Sequence, residues 1–114
     1  MIKNKEHIET ILKEHYDPRE DRERVVRNLM FSGFTKPPLK RDAAVLDSWY
    51  RHRVGEIARE EQTYRQRLEQ ARKEGNIDET EYIRAIMDLG TSSCPFRKAR
   101  QEASELYSKE RKLI

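Results

Sequence analysis

Apolar residues recur along this chain at helical spacing, and no run alternates apolar and polar positions as a half-buried strand would. Over residues 3–15, Ile8, Ile11, Leu12 and His15 share one face. After "HYDPRED", Val25, Val26, Leu29 and Met30 share another. Asp17 can cap this second helix, Pro18 suits its first position, and Glu20 stands three residues after the cap, as in a capping box. The helix is expected to end near Gly33. Together the two segments predict a helical hairpin over about 3–33.

"FTKPPLK" breaks the pattern. Pro37 and Pro38 cannot continue a helix, and Lys36 before them is driven toward extended backbone. Residues 34–40 therefore read as a linker, with a new helix beginning near Arg41 or Asp42. That helix is predicted to run over about 41–74, with Leu46, Trp49, Tyr50, Val54, Ile57, Tyr64, Leu68 and Ala71 in one broad stripe of near-heptad spacing. Arg53, Glu60 and Glu61 intrude on the stripe. The favoured expectation is that their stems cover apolar surface while their heads reach water. The sharper one pairs Arg53 with a carboxylate that fixes register. Gly55 faces away from the stripe and marks either the close approach of another element or nothing.

"RKEGNID" ends the long helix. Gly75 supplies a left-handed position after it, Ile77 packs back on its last turn, and Asp78 with Glu81 repeats the capping-box signature. The second arm of this hairpin, over about 41–89 in all, is brief and apolar on two sides. Tyr82, Ala85, Ile86 and Leu89 make one face, and Ile83 and Met87 make the other. A short helix of that kind is expected to be sandwiched between the long helix and something else. Gly90 closes it. A last helix over about 95–112 starts at Pro95, with Phe96, Ala99, Ala103, Leu106, Tyr107 and Ile114 on one face.

The fold predicted is all-α. It is one domain over residues 1–114, made of an N-terminal hairpin (1–33), a Pro-containing linker (34–40) and a helical core (41–114). Composition adds a constraint. Of the 114 residues, 35% are hydrophobic and 39% charged, so a compact core would be thin. A second copy of the chain or a partner is one way to complete the burial.

Charge is uneven. Residues 42–90 hold eight basic against eleven acidic side chains, and residues 91–114 hold six against three. This is not a uniform nucleic-acid-binding coat. The lone Cys94 leaves a monomer without a disulfide, and "MIKNKEHIETILKEHYD" has no apolar run that suggests a signal peptide or a membrane span. A cytoplasmic location is expected.

Motifs of chemistry are missing. The sequence contains no Walker loop, no dinucleotide glycine fingerprint, no HExxH and no CxxC pair. His7 and His15 diverge around a helix and converge poorly on a metal. Cys94 lies at a helix start near Arg97 and Lys98, but no base or oxyanion site accompanies it. The expectation is a protein without catalysis, cofactor, metal or small-molecule substrate.

Two stretches suggest binding. In "WYRHR", Trp49 and Tyr50 lie beside Arg51 and Arg53, a composition found at interface hot spots and base-stacking platforms. The favoured reading instead anchors Trp49 against the first hairpin. Residues 82–101 lay out a helix, a turn at Leu89-Gly90, and a second helix whose Arg97, Lys98 and Arg100 face away from Phe96 and Ala99. This stretch resembles helix-turn-helix repressors over about twenty residues, a likeness that implies phosphate and base contacts by those three cations. It departs from the pattern in the order of Ala85 and Ile86, in Thr91 at an apolar turn position, and in Pro95 at the reading end.

The reading adopted is a regulator, adaptor or inhibitor that docks a helical face on a protein partner. Trp49, Tyr50, Arg53, Ile57, Tyr64, Ile83 and Met87 are the candidate contact residues, and a homodimer through the long helix is one arrangement of them. The alternative is a DNA-binding transcriptional regulator. In composition the chain resembles the small charged helical proteins common among phage and mobile-element genes.

Overall fold

A computed structural model describes residues 16–40 and 42–114. The predicted helix over 3–15, and with it the first arm of the N-terminal hairpin, lies outside the described residues. The rest is all-α: α1 (Pro18–Met30), α2 (Ala43–Lys73), α3 (Glu79–Leu89) and α4 (Pro95–Arg111).

The helix boundaries follow from local chemistry. Asp17 caps α1, although its carboxylate accepts from the amide of Arg19 (3.0 Å) and not from that of Glu20. Asp42 caps α2 through the amides of Ala44 (2.8 Å) and Val45 (3.3 Å). Asp78 caps α3 through the amide of Glu81 (2.7 Å). Each bond satisfies a donor that a helix start leaves open. At the end of α2, Gly75 takes a φ of 76°. Its amide bonds to the Arg72 carbonyl and that of Asn76 to the Ala71 carbonyl (2.8 Å). This is a complete Schellman turn. It drives Ile77 back onto the core, where it is buried. Helix α1 stops at Met30, one turn short of Gly33, and residues 31–40 carry no helix.

Helix α2 is the spine, ~46 Å long at 1.5 Å per residue. Its predicted stripe is the core: Leu46, Trp49, Ile57, Tyr64, Leu68 and Ala71 are buried, and Tyr50 and Val54 partly so. Helix α4 runs antiparallel to it. Phe96 packs near Tyr64 (ring centroids 6.1 Å), and Tyr107 packs on Tyr50 (4.7 Å) while donating to the Asp47 carboxylate. Helices α1 and α3 pack on the remaining length of α2 through Val25, Leu29, Ala85 and Leu89. The body is flat, 16 Å through its Cα atoms against 61 Å along its length.

Three expectations need correcting. Arg53 does not snorkel. It is buried, its Nη1 donates to the carbonyl oxygen of Leu29 (2.9 Å), and it pairs with Glu56 (3.2 Å); the carboxylate pair of the sharper reading is present but lies within α2, and the bond that reaches another helix goes to a carbonyl. The Leu29 carbonyl stands at the open end of α1, where a cation is favoured. Glu61 is likewise engaged, accepting from Arg100 of α4 at 3.1 Å. Among the described residues, Trp49 anchors against the linker and α4. Its Nε1 donates to the Phe34 carbonyl (2.9 Å), and it clusters with Leu46 and Ala103. The linker is thus packed on the fold and does not divide it. Finally, Ile114 lies beyond the end of α4 and is half-exposed.

Candidate functional site

Four of the seven residues expected at a protein interface are spent within the chain. Trp49, Arg53, Ile57 and Tyr64 are all buried, so they hold the fold together and offer a partner almost no surface. The reason is that α4 returns along the very stripe of α2 on which a second copy was expected to pack. Tyr50 is half-buried beneath Tyr107. Ile83 and Met87 remain. They are 47% and 67% exposed, one turn apart on the outer side of α3, while Tyr82, Ala85, Ile86 and Leu89 turn inward. Among the described residues, the short helix therefore has core on one of its two apolar sides only.

Beside this ridge lies a cleft of about 440 Å³ between the start of α1 and α3. Arg19 and Arg22 line one wall, Glu81, Arg84 and Asp88 the other, and Tyr64 the floor. Going around α3, the cleft-facing Glu81 and Asp88 come first, then Arg84, then Met87 and Ile83. Cleft and ridge are thus one surface, joined at Arg84. None of the three arginines forms an ion pair among the described residues. Asp17, also at the cleft, already accepts the Arg19 amide.

Tyr64 is 2% exposed, and its hydroxyl has no hydrogen-bond partner among the described residues. The one fully enclosed side-chain polar atom lacking a partner among them is Arg72 Nε. Burial pushes the Tyr64 phenol up to about 12, and Arg22 is the charge that acts on it most strongly in opposition. The hydroxyl is therefore neutral, and a donor, at neutral pH. Sequence reasoning placed Tyr64 on the apolar stripe and gave no role to Arg19, Arg22 or Arg84. The available signal was slight: Arg19 and Arg22 are three apart on one helix and so share a face.

The basic face of α4 divides. Arg97 and Lys98 are exposed, whereas Arg100 is committed to Glu61. Phe96 and Cys94, at the reading end of the helix-turn-helix likeness, are buried. Cys94 is thus enclosed. A second apolar area lies around the linker, where Met30, Phe31 and Leu39 are largely exposed and Phe34 stacks on His52 at 5.2 Å. Among the described residues, no group of three or more His, Cys, Asp or Glu side chains could hold a metal ion, and no helix is long and apolar enough to cross a membrane.

Comparison with protein-family models, with curated proteins and with solved structures finds no match to this chain.

Proposed function

We propose that this protein is a non-catalytic docking module, a regulator, adaptor or inhibitor that acts by binding a protein partner along α3. One observation carries the reading: Ile83 and Met87 stand exposed one turn apart on a helix whose other apolar side chains pack on the core. Exposed apolar side chains scattered singly are ordinary. Two on adjacent turns of one helix, next to a cleft, form the kind of ridge that enters a hydrophobic groove. Burying both side chains fully would contribute on the order of 2–3 kcal/mol, too little for tight binding alone. The adjoining polar cleft is the natural source of the remainder.

DNA binding is the weaker reading, because one of its three cations is paired within the chain.

The test is an affinity capture from a lysate of the source cells, run in parallel with the wild type and an Ile83→Glu/Met87→Glu double variant. Both positions are exposed, so the variant is expected to fold, which circular dichroism checks. A stoichiometric protein captured by the wild type and lost with the variant is the expected result. Equal capture by the two proteins would remove α3 as the docking face.

A further inference from the structure

We draw no further inference here: the strongest candidate, the exposed apolar area of Met30, Phe31 and Leu39 around the linker, carries nothing, because nothing in the structure shows what covers it.

Discussion

Arg53 of α2 donates to the main-chain oxygen of Leu29 across 2.9 Å, closing the open end of α1 with a buried cation. The bond links residues twenty-four apart. It also positions the guanidinium beside Glu56, so one side chain serves a helix end and an ion pair together.

Replacing Arg53 with methionine keeps most of the stem and removes the donor. The Leu29 carbonyl and the Glu56 carboxylate both lose their partner. A hydrogen bond to a charged group is worth about 1.5–3 kcal/mol, and an orphaned buried acceptor adds to the loss. Urea denaturation is expected to show destabilisation of about 2–3 kcal/mol. A change below ~0.5 kcal/mol would mean that the bond contributes little in solution.

Trp49 is the single tryptophan of the chain and the fastening point of the linker. Trp49→Phe retains an aromatic ring among Leu46 and Ala103 but loses the bond to the Phe34 carbonyl. We expect faster amide exchange across residues 31–40 and a global cost of about 1–2 kcal/mol from the lost bond and the smaller ring. Unchanged exchange in the linker would show that packing alone holds it.

Gly55 lies in the middle of α2, with no other element against it among the described residues. A Cβ there meets nothing nearer than the flexible tip of Arg59 at 3.4 Å. Gly55→Ala is therefore expected to stabilise the protein by up to about 1 kcal/mol, the helix-propensity difference, and to raise the melting temperature. A lower melting temperature would mean that this glycine is needed for a contact made in an assembly.

Stability should fall at high pH. Burial pushes Tyr64 up to about 12 from 10.0. Tyr16 is raised too, by burial and by its bond to Asp21, and Tyr107 by its bond to Asp47. A phenol with a raised folded-state pKa holds its proton more tightly folded than unfolded. Its contribution is therefore complete below pH 10 and shrinks as pH climbs toward 12. Urea midpoints measured from pH 8 upward are expected to stay level and then drop. Tyr64→Phe should remove part of that drop. A midpoint independent of pH throughout this window would contradict the burial of these phenols.

Much of this architecture could be read from the chain, because its signals are local. Pro37-Pro38, Gly75, Asp42 and Asp78 mark helix limits through backbone geometry and caps, which depend on a few neighbouring residues. The apolar stripe of α2 likewise follows from spacing. What was hidden depends on distant partners. Nothing near Arg53 reveals that the Leu29 carbonyl will lie within reach, so an inward guanidinium and a snorkelling one look alike. The stripe also cannot say what covers it. Trp49, Ile57 and Tyr64 looked available until α4 was seen to return along α2. The cleft was the least legible, since it joins one residue of the stripe to arginines on two other helices.

Helices α1 and α3 both pack on α2 and touch each other far less. Among the described residues each hangs from the same beam with little bracing toward the other, so small tilts of either would widen or narrow the gap separating them. A guest wedged there would brace the pair, and its arrival should register as slower opening of both helices, including at amides it never touches.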